Sequence, residues 1–268
     1  MQRRPIGVLA LGLSLAFAAG ARAQAPAPQP VPPPEPNFDV PAPPPGLAAQ
    51  PVALPAAAPT ETAAPVVYPV GSEPQPAPSP VRWEGQTAIL GSVRLDSATK
   101  TVSVTGWVNQ TAGPIEVLAC GSGGKVHESV FVVALNPLDL QAALLLAGLK
   151  AGAPMPEIGQ GPPNGSPVDL FVDWQADGAT RTARAESFVW NVEENAVVPD
   201  APWTFTGSVV KDGQFKAFAE ESFVVTYWDP YAIVNIAQPC GSNDEILSVN
   251  TNVVPPYQTP ITLRFVPR

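Results

Sequence analysis

One histidine, two cysteines and two methionines in 268 residues leave little material for metal or redox chemistry. A blue-copper centre wants two histidines and an iron–sulfur cluster usually wants four thiolates. His127, Cys120 and Cys240 are too few for either. Lysine and arginine number 14 against 23 aspartates and glutamates, and no basic run occurs. A phosphate backbone is held by clustered cations, so nucleic acid is excluded as a partner. No apolar run reaches the ~20 residues that a membrane-spanning helix needs. A Gly-rich stretch, GSGGK at 121–125, lacks the rest of a phosphate loop: Ala119 stands in place of the first glycine and Val126 in place of the final Ser or Thr.

What is present is organised in three parts. Arg3 and Arg4, the apolar run 6–19 and the small-x-small ARA at 21–23 read as a signal peptide, residues 1–23, cut before Gln24. Its removal deletes three arginines and no acid, leaving 11 basic and 23 acidic residues. The expected location is the periplasm or the extracellular space, with no transmembrane span after cleavage. Residues 24–80 contain 20 prolines, the acids Glu35, Asp39, Glu61 and Glu73, and no Lys or Arg. Proline fixes φ and donates no hydrogen bond, so neither helix nor sheet propagates. This segment is expected to be a disordered spacer, on the order of 180 Å when extended as polyproline II. It could also dock on cell-wall polymer or an envelope protein.

Residues 81–268 are expected to fold as one domain. Short runs such as KTVSVTGWV and VDLFVDW alternate apolar and polar residues, and the Asp-Gly pairs at 177–178 and 212–213 signal hairpins. The pattern predicts a mainly β (α+β) fold, an antiparallel β-rich sandwich or open barrel. One segment departs from it. Asn136 can cap a helix, Pro137 fits its first position, Asp139 suits its positive end and Gly152 can end it. Apolar residues on two faces predict a buried helix near 137–150, sandwiched in the core.

The segments GKVHESVFV and AALLLAGLKAG, with VDLFVDW, WTFTGS and DGQFKAFAEESFVVTYWDPYAIV after them, resemble the YdjY-like domain of exported bacterial proteins. The resemblance runs in order over nearly all of 81–268. It supports those domain limits and implies no activity. It aligns His127, Glu128 and Ser129 with the family's His-Glu-Ser motif and Cys120 with a cysteine shortly before it.

Three chemistries compete for these residues. If 126–135 is one strand, His127 and Ser129 share a face and Glu128 points to the other, giving a candidate hydrolytic trio. No G-x-S-x-G elbow accompanies the serine. If GSGGKV is a hairpin, Cys120 and His127 approach each other and, with Cys240, could hold zinc. The two cysteines could instead form a Cys120–Cys240 disulfide or remain free thiols. The six tryptophans could stack on sugars wherever they are exposed. The leading expectation is a non-enzymatic binding or structural module on a proline-rich tether. The alternative is a metal-dependent or hydrolytic activity centred on 127–129.

Overall fold

The computed structural model describes residues 77–268. The expected signal peptide and all but the last four residues of the expected spacer lie outside them. Among the described residues the strands are β1 (Arg82–Glu84), β2 (Thr87–Leu90), β3 (Val93–Asp96), β4 (Val102–Val108), β5 (Val117–Cys120), β6 (Ser129–Val133), β7 (Ser166–Ala176), β8 (Ala179–Arg184), β9 (Val189–Asn191), β10 (Ala196–Val197), β11 (Trp203–Phe205), β12 (Val210–Lys211), β13 (Gln214–Phe215), β14 (Ser222–Val225), β15 (Val234–Asn235), β16 (Leu247–Val249) and β17 (Pro260–Pro267). Two α-helices accompany them, α1 (Pro137–Leu146) and α2 (Lys216–Glu220).

Period-two alternation builds the sheet. Val102, Val104 and Val108 of β4, Leu170 and Val172 of β7, and Ile261, Leu263 and Phe265 of β17 are buried. Their alternate neighbours form the outer face. The pairing order β4–β17–β7–β11–β15–β14–β5–β6 closes on itself, because β6 returns to β4 through Gly106↔Val133 and Val108↔Phe131. Gly106 permits this closure: a Cβ there would lie 2.2 Å from the Val132 carbonyl oxygen. β3 takes the other end of the same β4 edge and carries β2 and β1 outward, while β8 extends from β7. The fold is mainly β, as expected, but the ring is closed and two of its pairings, β5–β6 and β14–β15, are parallel. The expected Asp-Gly turns join β7 to β8 and β12 to β13, with positive φ at both residues of each.

The helix forms where expected and ends sooner. Asn136 caps α1 by accepting from the Leu138 N–H at 3.0 Å. The exit is at Gly148, φ +99°, rather than Gly152. Leu140, Ala143 and Leu144 are buried, and α1 packs on β2, β3 and α2. Leu145 and Leu146 are 48% and 50% exposed, so the helix buries one face and is not sandwiched. Its first turn also holds the incoming chain. The Ser79 N–H and hydroxyl both donate to the buried Asp139 carboxylate, at 2.6 and 2.8 Å, and the Asn136 side chain donates to the Ala77 carbonyl. Residues 77–80, expected to be the end of the spacer, are therefore docked on the domain.

The outer face of β17, β7 and β8 carries an ion-pair ladder. Arg184 Nη2 donates to Asp169 Oδ1 and Glu186 Oε1, both at 2.8 Å, and Glu186 is wholly buried. Arg264 engages both carboxylate oxygens of Asp173, and Arg268 meets Asp169. The guanidinium carbons of Arg184 and Arg264 each lie 5.3 Å from the centre of the Phe171 ring between them.

Candidate functional site

The path of residues 116–129 decides which of the sequence-derived site residues meet. The chain runs along β5, turns at Gly121–Gly124 and comes back, and β6 then starts alongside the beginning of β5, parallel to it, with Val117 opposite Ser129 and Cys120 opposite Val132. Residues 126–128 form one turn of 3₁₀ helix and not the start of a strand. The expected hairpin and the expected shared face of His127 and Ser129 are both replaced by this return. Lys125, His127 and Glu128 consequently lie beside Glu116, whose N–H donates to the Glu128 carbonyl at 3.2 Å. Cys120 is four residues further along β5, ~13 Å at the strand rise.

Within the motif, His127 and Glu128 meet and Ser129 is separated from them. His127 Nε2 lies 2.8 Å from Glu128 Oε1, with the imidazole side chain 73% exposed. Ser129 is wholly buried and donates its hydroxyl to the Phe131 carbonyl at 2.8 Å. Burial pushes the Cys120 thiol up to about 11. A thiol so protonated is a poor nucleophile and a poor metal ligand. Cys120 packs with Val117, Val132, Val225 and Ala232, whereas Cys240 packs against the main core. Both are free thiols, so the Cys120–Cys240 disulfide is not formed, and the two sulfurs belong to different apolar clusters. The zinc set Cys120, His127 and Cys240 is not assembled either: among the described residues no three His, Cys, Asp or Glu side chains are placed to hold a metal ion.

The structure supplies partners that the sequence reading did not single out. Lys125 Nζ is hydrogen-bonded to Glu116 Oε2. A tight cleft over the paired strands β5 and β14 is lined by Glu116, Lys125, Ile158, Ser222, Tyr227 and Asp229. Burial opposes the Lys125 charge, but Glu116, then Glu128 and Asp229, outweigh it and hold its pKa above the usual lysine value. Glu128 moves upward, first through burial and then through its contact with Glu116. Its Oε2 is buried without a donor when the group is charged. Protonation of Glu128 removes that deficit. Asp229 is also raised, mainly by burial, against the opposing Tyr231 N–H and Lys125. The arrangement can hold and release a proton near Glu128. The signals for it were a lysine two residues before the sole histidine, and the aspartate of TYWDP.

The Gly-rich turn has an internal occupant. Gly121 N–H donates to the Glu221 carbonyl at 2.8 Å, and Gly123 N–H donates to its carboxylate, also at 2.8 Å. A Cβ at Gly121 would fall 2.1 Å from that carboxylate, and one at Gly124 would fall 2.8 Å from the Glu221 carbonyl oxygen. The glycines allow the loop to wrap a residue of its own chain.

The family model described as the YdjY domain matches residues 93–266, from β3 into β17, and so takes in the 125–129 motif and Asp229. This chain belongs to the YdjY family. No curated protein and no solved structure matches it. In this YdjY domain the tryptophans divide by exposure. Trp203 and Trp228 are buried, Trp83 is 59% exposed on β1, and Trp107 is 36% exposed on β4. Trp190 lines an open groove of about 510 Å³ between β9 and residues 245–252. Trp107 and Trp174 line two further grooves over β4, β17 and β7. No helix among the described residues is long and apolar enough to cross a membrane.

Proposed function

We propose that this YdjY-domain chain is exported to the bacterial envelope, where the proline-rich segment displays the domain as a non-catalytic binding module. The observation that carries the reading is the placement of Ser129. Its hydroxyl is buried and donated to Phe131, while His127 turns outward to Glu128. A nucleophilic serine needs a base on its oxygen and a cavity beside it. The acidic balance, with 23 acids to 14 basic residues, fits a partner that is not a polyanion. Expression of the full chain in a bacterium, with fractionation and N-terminal sequencing, tests the export half. A mature protein beginning at Gln24 and released with the periplasmic or extracellular fraction is expected. A full-length chain retained in the cytoplasm overturns it.

A second reading has an observation of its own. The Glu116–Glu128 pair, with His127 on one oxygen of Glu128, has the raised carboxyl that general acid–base work needs. A hydrolytic activity of 127–129 would then run through His127 and Glu128, with water as nucleophile. Turnover of any ester or glycoside that is lost in Glu128→Gln would favour this reading over the first.

A further inference from the structure

Two open grooves lie side by side on the outer face of the ring, and both are bounded by Gly106 and Pro260. One has a volume of about 420 Å³ and the other about 400 Å³, so together they form a trough running across β4, β17 and β7. The cross-strand rows fix what it presents. Trp107 stands opposite Pro260, and Thr105 opposite Thr262, which is in turn opposite Asp173. Gln175 stands opposite Thr180 and donates to its hydroxyl at 2.8 Å. Trp174, opposite the buried Ile261, turns its ring to the core, edge-on to Phe188 at 5.9 Å, so Trp107 is the aromatic ring that the trough presents.

We infer that this trough binds a neutral β-linked saccharide chain. Electrostatics selects against an ionic ligand. Asp173 is the charged residue in the lining, and its two oxygens are taken by Arg264 and the Thr182 hydroxyl. Its carboxylate is thus a satisfied ion pair with no charge to offer. What remains is neutral and polar. The hydroxyls of Thr105 and Thr262 and the side-chain amide of Gln258 make no hydrogen bond to any described residue, and Gln175 uses only its amide nitrogen. An acyl chain would leave these groups desolvated and unpaired. A peptide strand would find no free ladder, since both edges of β17 and the adjoining edge of β7 are already paired. A β-linked pyranose chain is flat, with C–H faces that stack on an indole and hydroxyls round its rim for threonine and amide partners. The exposed ring of Trp107 and the polar rows beside it match those two needs.

The inference deepens the binding-module reading and rests on it. The test is titration of the full chain with β-linked hexasaccharides of glucose and of N-acetylglucosamine, followed by tryptophan fluorescence and calorimetry. Saturable binding of at least one of them, insensitive to salt, is expected. Trp107→Ala should weaken it about tenfold or more, roughly the effect of losing one stacking contact. Thr262→Val and Gln258→Ala should weaken it by a smaller factor, and Trp190→Ala, in the separate groove, should leave it unchanged. Circular dichroism melts confirm that each variant is folded, and the Thr262 and Gln258 variants carry the test if Trp107→Ala is not. No saturable binding of either saccharide overturns the inference, as does binding that survives Trp107→Ala in a folded protein. Binding confined to charged polymers overturns it too. A correctly exported chain that fails these titrations removes this ligand and leaves the export reading standing.

Discussion

Two carboxylate clusters on the same closed sheet show opposite behaviour. Around Phe171, Asp169 and Asp173 face three guanidinium groups, those of Arg184, Arg264 and Arg268. Burial raises their pKa values, but the arginine hydrogen bonds more than reverse it, and both carboxyls end below the ordinary 3.8. Around the Gly-rich turn, Glu116, Glu128 and Asp229 share the single ammonium of Lys125. There burial is not overcome, and Glu128 and Asp229 end above their ordinary values. The ratio of cations to acids, more than burial itself, separates an ion-pair ladder that braces strands from a group poised to exchange a proton.

Breaking the ladder should have the largest effect. Arg184→Ala leaves Glu186 wholly buried with its charge unpaired, and should cost about 3–5 kcal/mol in urea denaturation. A loss comparable to a surface substitution would show that the Arg184–Glu186 pair braces nothing.

The poised cluster should be visible in the pH dependence of stability. The Glu128 carboxyl is raised in the folded chain, so above 4.5 the unfolded chain loses this proton first. Stability therefore falls as pH rises from 4.5 through the folded value, and Glu128→Gln should flatten that fall. Asp169 and Asp173 act with the opposite sign. Their contribution is complete above 3.8 and is lost as pH falls through their lower folded values, and Glu128→Gln should leave that acid limb unchanged. Denaturation midpoints measured across both windows check the two signs together. His127→Ala should have the smallest effect, within about 0.5 kcal/mol, because the imidazole is mostly solvated. A larger loss would make His127 part of the frame.

The features legible in advance were local ones. Asn136 and Pro137 started a helix because cap and first-turn geometry depend on neighbouring residues alone. The Asp-Gly pairs made hairpins because two positive φ values suffice. A strand through 126–135 is one conformation that the β-prone run ESVFVVAL allows, and nothing local in it marks the 3₁₀ turn at 126–128 or the placement beside Glu116. That placement depends on a parallel return of the chain, which leaves no periodic mark. The choice among zinc, disulfide and free thiols stayed open in the sequence for the same reason, since contact between positions 120, 127 and 240 is a long-range property.

By itself the sequence determined two local outcomes among the described residues: an alternating region that becomes sheet, and a helix capped at Asn136. Those outcomes rest on period-two burial and capping, both of which act over a few residues. Only the tertiary structure decided that the sheet closes through Gly106, that Ser129 faces the core while His127 faces water, and that Lys125 serves three acids. Closure and charge balance are sums over strands far apart in the chain, and no local segment contains them.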